Sequence, residues 1–373
     1  MKIGEIGKIK TRPDPLWKGP LQDGVTSSLL RRFLTCRERF RVHVIDGLEA
    51  TSSFHAPKDY GTMWHSCEEA VSAETADTSS VSSLWESNLQ KQVERLSNLY
   101  PFSREEVAHW GDICYALFPR YVNYWKVYGQ KVERTPLLQE GIFDVKYLLP
   151  SGRTVLLRGK WDAVDLIGPH LEGSIRWPRG VWVQENKTKS TISIQRIAQQ
   201  LTFDLQTMFY LTTWDLWRAE ARRNPEIALH YKKWGVPDAP ALGVCYNVVR
   251  RPAHKTTESM IAKLELDCRN GRAGEWFSRW KVSVTQDDIE SFCKQTLNPV
   301  LENLLDWWDQ KTSQREQDVP LSYKTPTSWR QPYFYNPLAE GRSSEVDRYL
   351  SDGTRSGLRP VTNLFSELSD ESD

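Results

Sequence analysis

Apolar residues alternate with polar ones in several short stretches of the chain, the period expected of β-strands with one buried face. The strands predicted from this pattern are 140–147, 154–167, 181–187, 241–249 and 277–283. Pro150-Ser151-Gly152 supplies a tight turn between the first two strands, and 168–180 is predicted to be a long turn before the third. The first three strands are therefore expected to form an antiparallel meander.

Other stretches repeat their apolar residues every three to four positions, as amphipathic helices do. The helices predicted in this way are 26–40, a helix that begins at Gly61, 84–128, 194–221 and 285–312. A Thr/Ser cap opens the first helix, and its four arginines indicate either a solvated face or one that contacts phosphates. Residues 50–60 are predicted to form a loop.

The chain has 373 residues, of which 39% are hydrophobic and 26% charged, enough for one large domain or two ordinary ones. A net charge of +1 excludes a strongly basic, histone-like protein but not a local basic channel. None of the six cysteines forms a CxxC pair, so zinc-ribbon spacing is absent and a reducing, intracellular location is indicated. With no apolar signal segment or membrane-spanning run, a soluble, cytoplasmic protein is expected.

Two predicted strands deliver acidic side chains to one place. The strand 154–167 carries Asp162, and the strand 181–187 carries Glu185 and Lys187, which share a parity and point to the same side of the sheet. A buried acid and a buried ammonium are costly unless they are paired or used in chemistry. Two carboxylates suit a hard divalent cation; the alternative is a buried ion pair between Asp162 and Lys187.

Two predicted helices carry further polar side chains. His65 lies four residues before Glu69 on one helical face, although a lone histidine on a helix is more often structural than a ligand. Gln206 and Tyr210 share a face of their helix through the same spacing.

Some residues near these positions have simpler interpretations. Trp161 and Trp182 are expected to pack in the core, as most of the sixteen tryptophans are. Asp165 is expected to be a solvent-facing partner of another residue and not a ligand.

Taken in order, these motifs resemble those of the PD-(D/E)XK nuclease superfamily, in its RecB-type and phage-exonuclease branch. The resemblance extends over roughly residues 26–283. It rests on Ser28-x-Leu30 with Phe33-x-x-Cys36, Gly61-x-x-x-His65, Gly159-x-x-Asp162, Glu185-x-Lys187-Thr188, Gln206-x-x-x-Tyr210 and Tyr246–Pro252. An ExK tripeptide alone occurs in many proteins, whereas the ordered set is far more specific.

The resemblance implies an α/β (α+β) fold, in which a restriction-endonuclease-like core has a central mixed β-sheet flanked by helices, with an N-terminal helical subdomain. We therefore expect an N-terminal arm at 1–25 and a nuclease domain at 26–318, with a helical insertion at about 66–130. An irregular C-terminal extension at 319–373 is expected to end in a disordered acidic tail.

The resemblance also implies phosphodiester hydrolysis assisted by Mg²⁺ or Mn²⁺, with Asp162, Glu185 and Lys187 as the catalytic residues. The implied metal ligands are His65, Asp162, Glu185 and the backbone carbonyl of Asn186, and the imidazole favours Mn²⁺ somewhat. Lys187 is expected to hold the attacking water and to stabilise the pentavalent phosphorus. Whether burial lowers the pKa of Lys187 or the carboxylates raise it stays open at this point.

Further residues are expected to contact nucleic acid or to support the site. Gln206 and Tyr210 resemble the family motif that positions the strand, and Glu140 is a candidate for supporting the ligands. The candidates for phosphate contacts, each of which could also be ordinary surface charge, are Lys189, Arg196, Arg250, Arg251 and Lys255.

The chain departs from some RecB-type relatives, which hold an iron–sulfur cluster through one early cysteine and three near the C-terminus. Cys36 occupies the early place, but no cysteine follows residue 320, so no iron–sulfur cluster is expected. Gly4-Glu5-Ile6-Gly7-Lys8 is too short for a Walker A motif and lacks the following Ser or Thr, so a nuclease without its own helicase motor is expected.

We expect a metal-dependent deoxyribonuclease, more specifically an exonuclease acting on linear, end-bearing DNA in recombination, repair or phage DNA metabolism. Its location would be the host cytoplasm if the source is viral. The alternatives are a structure-selective endonuclease and a catalytically inactive nuclease-fold module that binds DNA or a protein. A recombination or replication protein is a candidate partner, an oligomer is compatible with the fold, and no membrane association is expected.

Overall fold

The computed structural model describes most of the chain. The described residues are 16–45, 47–50, 54–73, 81–127, 132–172, 174–193, 204–225, 228–229, 232, 239–252, 256–313, 358–361, 363–365 and 368. Arg196 and Lys255, two of the predicted phosphate contacts, lie outside these ranges, as do most of the predicted arm and of the C-terminal extension. In the described part of the chain, no helix is long and apolar enough to cross a membrane.

Side-chain caps determine where several helices begin. The Thr26 hydroxyl accepts the backbone N–H of Leu29 and caps the first helix, as predicted. Asp204 and Thr256 cap two later helices in the same way. In chain order the helices are α1 (Ser27–Thr35), α2 (Arg37–Phe40), α3 (Ala56–Ala73), α4 (Val81–Leu99), α5 (Arg104–Val127), α6 (Leu205–Ala221), α7 (Thr257–Arg269), α8 (Gln286–Phe292) and α9 (Asn298–Ser313).

The strands form one large sheet and two small ones. In chain order they are β1 (Leu48–Ala50), β2 (Arg134–Leu148), β3 (Thr154–Ile167), β4 (His170–Glu172), β5 (Ile175–Trp177), β6 (Gly180–Lys189), β7 (Ala241–Arg250), β8 (Phe277–Ser283) and β9 (Leu358–Pro360). The five-stranded sheet has the order β2-β3-β6-β7-β8, while β1 pairs with β9 and β4 with β5. Because β6 runs parallel to β7 and antiparallel to β3, the central sheet is mixed, as expected.

The predicted strands are confirmed. β3 and β8 have the predicted bounds, and β2, β6 and β7 extend beyond theirs. The long turn predicted at 168–180 is wrong in part, since β4 and β5 pair within it as an antiparallel hairpin. These strands have three residues each, too few for a period to emerge from the sequence.

Two helix boundaries also differ from the prediction. α3 begins at Ala56 and not at Gly61, so the loop predicted at 50–60 is wrong for its second half. The helix predicted at 194–221 begins at Leu205, because Asp204 has an extended backbone and its carboxylate caps the first turn. Residues 194–203 lie outside the described residues.

The described residues form two compact units. The first is drawn from Met1–Thr51, Phe143–Gly159 and Ser291–Asp373. Its core is a set of aromatic rings packed edge to face, and its members are Trp17, Phe33, Phe40, Trp307 and Trp308. In the same unit, Arg153 forms ion pairs with three carboxylates of α9, those of Glu302, Asp306 and Asp309.

The second unit is drawn from Ser52–Ile142 and Lys160–Glu290 and has helices on both faces of its sheet. The Tyr246 hydroxyl meets the Thr207 hydroxyl of α6, whereas the next residue, Asn247, donates to Tyr121 of α5. Neighbouring residues of a strand point to opposite faces, so α6 covers one face and α5 the other. The helices therefore flank the sheet as expected.

A large apolar core lies between the sheet of this unit and the helices α3, α4, α5 and α7. Trp64 of α3 packs edge to face against Phe118 and Tyr121 of α5, with ring centroids 5.1 and 5.2 Å away. Met260 of α7 and Phe277 of β8 belong to the same buried cluster. Burying each such side chain contributes roughly 1.5–3 kcal/mol to folding, which fixes α3 firmly against the sheet.

Candidate active site

The ladder between β3 and β6 opens at the predicted acidic position. Paired residues run from Ile167 and Gly180 to Ala163 and Gln184. Beyond this pair, the Asp162 side chain connects the two strands, since its Oδ2 accepts the backbone N–H of Asn186 at 2.8 Å. The carboxylate is thereby held against the strand that carries Glu185 and Lys187.

The imidazole of His65 lies beside this carboxylate. His65 is on α3, and its Nδ1 is 3.8 Å from Asp162 Oδ2, too long for a hydrogen bond but close enough for both atoms to face one ion. Burial, and after it the charge of Lys187, lowers the pKa of His65. The ring is therefore neutral at neutral pH, the form that binds metals.

Glu140 of β2 joins these two residues. Ligand atoms of His65, Glu140 and Asp162 all lie within 4.8 Å of one another. Glu140 has a φ of +47°, a region that residues other than glycine rarely adopt, and its Oε2 lies 2.6 Å from Lys160 Nζ. Burial, and after it the charge of Asp162, raises the pKa of Glu140 to about 8. Glu140 thus has the same access to an ion as the predicted ligand His65.

Glu185 and Lys187 lie side by side on β6, as their parity predicts. The Lys187 ammonium donates to Glu185 Oε1, while Glu185 Oε2 is buried and has no hydrogen-bond partner. Burial raises the pKa of Glu185 to about 7 against the opposing charge of Lys187. Burial alone would lower the pKa of Lys187, but the charges of Glu185 and Asp162 outweigh it and raise the pKa. The question that the sequence left open is answered in favour of the carboxylates.

The face of α6 that carries Gln206 and Tyr210 meets this pair. Gln206 Oε1 is 3.4 Å from Lys187 Nζ, and Gln206 Nε2 donates to the Tyr210 hydroxyl at 3.1 Å. Asp204, two residues before Gln206, caps the helix by accepting the backbone N–H of Thr207 at 3.3 Å. A chain of hydrogen bonds therefore runs from Glu185 through Lys187 to the first turn of α6.

The Asn186 side chain points to the other face of the sheet. Its Oδ1 accepts from Gln184 Nε2 at 3.0 Å and from Asn247 Nδ2 at 2.9 Å. Asn247 Nδ2 also lies within hydrogen-bond distance of Glu68 and Tyr121. These buried polar groups fix the strand from behind, so the backbone of Asn186 has little freedom.

The predicted phosphate contacts that fall within the described residues lie at the end of β6 and β7. Lys189 and Arg250 are register partners in the parallel pair, two residues beyond Lys187. The guanidinium of Arg250 lies 5.1 Å from the Trp276 ring, and Arg251 donates its backbone N–H to Lys189 O. Three of the five candidate cations are thus placed at one sheet end.

One expectation about a neighbouring acid is wrong. Asp165, expected to face solvent, is completely buried and forms an ion pair with Arg134, whose Nε lies 2.8 Å from Asp165 Oδ2. It faces the same side of β3 as Ala163, because alternate residues share a face. Trp161 and Trp182 are fully buried, as expected.

The residues present fit a hard divalent cation. Asp162, Glu140 and Glu185 offer carboxylate oxygens, and His65 offers a neutral imidazole. The buried Oε2 of Glu185 lacks a hydrogen-bond partner, a costly arrangement unless a cation or proton satisfies it. Carboxylates whose pKa is raised by burial and mutual repulsion would be stabilised as anions by such an ion.

Sequence reasoning undervalued Glu140 and missed its partner Lys160. Lys160 lies two residues before Asp162 on the same strand, a spacing that indicates a shared face. Glu140 lies on a different strand, more than twenty residues upstream, and its unusual φ has no sequence signal. Only the pairing of β2 with β3 brings it to the cluster.

The family model of the PD-(D/E)XK nuclease superfamily matches residues 25–295. No curated protein matches the chain. The matched residues include every described side chain of the cluster, the two acidic strands and α6. Since the match covers well over half of the sequence, the chain belongs to the PD-(D/E)XK nuclease superfamily.

Proposed function

We propose that this nuclease is a divalent-metal-dependent deoxyribonuclease that degrades linear DNA from an end. The observation that carries the proposal is the convergence of His65, Asp162 and Glu140 beside the ion pair of buried Glu185 and half-buried Lys187. The exonuclease assignment is supported by the ordered motifs, which resemble the phage-exonuclease branch. Recombination, repair or phage DNA metabolism is the setting we propose for it, in the cytoplasm of its cell or host.

The ligands we propose are His65, Asp162, Glu185 and the backbone carbonyl of Asn186, with Glu140 as an additional carboxylate. Mg²⁺ or Mn²⁺ bound there would screen the charge of the phosphodiester and acidify water. Mg²⁺ prefers oxygen ligands, while an imidazole in the set favours Mn²⁺. The Asp162–Asn186 hydrogen bond holds the first carboxylate next to that carbonyl.

Lys187 acts as a donor in this proposal and not as a base. The neighbouring carboxylates raise its pKa, so the ammonium stays protonated at neutral pH. A protonated amine can orient the attacking water and stabilise negative charge that develops on the phosphoryl oxygens. It cannot remove a proton from that water, so the proton must leave to solvent or to a carboxylate.

Gln206 and Tyr210 position Lys187 and the DNA strand. The 3.4 Å contact from Gln206 to Lys187 and the 3.1 Å bond from Gln206 to Tyr210 support this role. Lys189, Arg196 and Arg250 are proposed to contact phosphates, which would fix the register of the strand without reading its sequence.

The test is cleavage of end-labelled linear DNA and of closed circular DNA with Mg²⁺, with Mn²⁺ and with EDTA. We expect metal-dependent loss of linear DNA and no cleavage of the circle. The variant Asp162→Asn should show no activity, while its circular dichroism spectrum shows that it is folded. Metal-dependent cutting of the circle would identify a structure-selective endonuclease instead. Absence of cleavage with every metal would leave a DNA-binding or partner-binding module and overturn the proposal.

A further inference from the structure

A second amine lies beside the carboxylate cluster. Lys160 Nζ is 2.6 Å from Glu140 Oε2, and Glu140 has a ligand atom within 4.8 Å of ligand atoms of His65 and Asp162. A single ion pair therefore separates Lys160 from the residues that we propose as metal ligands. None of the roles proposed above involves this amine.

The alternation of β3 directs Lys160 towards the cluster. Trp161, which lies between Lys160 and Asp162, is fully buried, and its ring centroid is 5.6 Å from that of Trp214. Neighbouring residues of a strand point to opposite sides, so Lys160 and Asp162 point away from this aromatic contact. Both side chains approach Glu140 of β2, which confirms that they share one side of the sheet here.

The Lys160 ammonium has donors beyond the one that Glu140 accepts. An ammonium carries three N–H groups, and among the residues that the structure describes its ion-pair partner is the Glu140 carboxylate. The Lys160 side chain is 29% exposed, against 13% for that of Glu140. Because lysine buries its stem and keeps its ammonium towards water, the other donors face the side from which a strand of DNA would approach.

The Lys160 ammonium is also charged beside the cluster. Burial alone would lower the pKa of Lys160, but the charges of Glu140, Glu69 and Asp162 outweigh it and raise the pKa. A cation bound at the cluster would neutralise part of the charge of these carboxylates. The attraction between Lys160 and Glu140 would then weaken, while a phosphate at the cation would offer the ammonium a new acceptor.

We propose that Lys160 is a second lysine that contacts the substrate, by donating to a non-bridging oxygen of the phosphate held at the metal. This inference rests on the proposed function, because it takes a phosphodiester as the ligand. Lys160 lies on β3 and Lys187 on β6, so the two ammonium groups would approach the phosphate from different strands. Transition-state charge is spread over several phosphoryl oxygens, and a second ammonium would stabilise oxygens that Lys187 does not contact.

The alternative is that Lys160 only holds Glu140 in place. Loss of the ammonium would then weaken metal binding and leave the charge contacts with DNA unchanged. A phosphate contact predicts a change in the salt dependence of DNA binding instead. Each neutralised phosphate adds about 0.9 to the slope of log K against log salt for duplex DNA, and about 0.7 for a single strand.

The experiment is fluorescence anisotropy of labelled linear DNA, duplex and single-stranded, titrated with the full chain in Ca²⁺ at several chloride concentrations. Ca²⁺ fills sites rich in oxygen ligands, and electrophoresis confirms that the DNA stays intact. We expect Lys160→Met to bind about tenfold more weakly, with a slope smaller by about 0.7 to 0.9. Lys160→Arg keeps the charge and should retain the wild-type slope, as should Lys91→Met, the matched control on an exposed position of α4.

Mn²⁺ binding without DNA, measured by electron paramagnetic resonance, tests the alternative directly. We expect Lys160→Met to bind Mn²⁺ at least as tightly as the wild type, because it removes a positive charge next to the site. Neither titration depends on cleavage, so this inference and the proposed nuclease activity can fail independently. Equal salt slopes in Lys160→Met and Lys91→Met would overturn the proposal. Weaker Mn²⁺ binding with an unchanged slope would assign Lys160 to positioning of Glu140 alone.

Discussion

Burial and neighbouring charges together set the protonation state of each residue at this site. His65 and Lys187 are both half-buried, yet burial lowers the pKa of His65 while two carboxylates raise that of Lys187. The imidazole is therefore neutral and the amine charged at the same pH, as the proposed ligand and donor roles require. Glu185 accepts from Lys187 through one oxygen, and its other oxygen is buried without a hydrogen-bond partner.

Removal of the Lys187 charge tests the donor role. Lys187→Met keeps an unbranched side chain without the ammonium, and we expect the single-turnover cleavage rate to fall by about 10²–10³-fold, as for other lost donors to developing negative charge. Lys187→Arg should restore little, because its planar guanidinium cannot replace a compact ammonium next to Glu185. Lys91→Met is the control, and a loss below tenfold in Lys187→Met would rule out this role.

Glu140 is the proposed ligand that the family motifs did not indicate. Its oxygen lies within 4.8 Å of ligand atoms of His65 and Asp162, so we expect Glu140→Gln to weaken Mn²⁺ binding by at least about tenfold. Electron paramagnetic resonance of free Mn²⁺ measures the affinity without any need for DNA. Glu94→Gln, at an exposed position of α4, is the matched control. Equal affinity in Glu140→Gln and the control would remove Glu140 from the ligand set.

At the scale of helices and strands, the sequence pattern predicted the element boundaries that depend on local interactions alone. β3 was predictable to the residue because its alternation continues along the strand and a glycine lies beyond each end, Gly152 before it and Gly168 after it. The start of α6 was not, since a carboxylate cap outweighs apolar spacing that continues upstream. The placement of Glu140 and the row of Arg279, Asn247 and Asn186 depend on pairing between distant strands, which periodicity does not encode.

The cap of α6 connects this element to activity. Asp204→Ala removes the acceptor for the backbone N–H of Thr207, and we expect the free energy of unfolding to fall by about 1 kcal/mol. Asp204→Asn keeps an acceptor of the same shape, so its stability in urea should remain close to that of the wild type. Cleavage should fall more in Asp204→Ala, because Gln206 lies in the first turn of α6. Equal destabilisation of both variants would mean that the charge of Asp204, and not its cap, matters.

For the molecule as a whole, the side chains of the proposed ligand set are contained in one compact unit. His65, Glu140, Asp162 and Glu185 all belong to Ser52–Ile142 and Lys160–Glu290, so this unit carries the proposed chemistry without residues from the other. The expected division into an arm at 1–25, a nuclease domain at 26–318 and an extension at 319–373 stays a prediction. Metal binding should nevertheless appear in the stability of the folded chain, because an ion that binds only the folded state stabilises it.

The dependence of stability on pH has a definite sign in the absence of metal. Folding raises the pKa of Glu140 to about 8 and of Glu185 to about 7, above the ordinary carboxyl value of 4.5. The folded state therefore binds more protons than the unfolded chain above pH 4.5, and its stability falls as pH rises through 7 and 8. The lowered pKa of His65 makes stability rise with pH instead. This effect is confined to the range below about pH 6.5, the ordinary pKa of histidine.

We therefore expect the melting temperature in EDTA to decrease between pH 6.5 and 8.5, because the free energy of unfolding falls by up to about 1.4 kcal/mol per pH unit for each proton released. Mg²⁺ should reverse the decrease, because the cation replaces the lost protons and binds the anionic carboxylates more tightly as pH rises. Glu140→Gln cannot lose this proton, so its melting temperature in EDTA should change less across the interval. Differential scanning calorimetry at several pH values measures all three effects. A melting temperature in EDTA that rises over this interval, or that responds to pH identically in Glu140→Gln, would show that these carboxylates are already ionised in the folded protein.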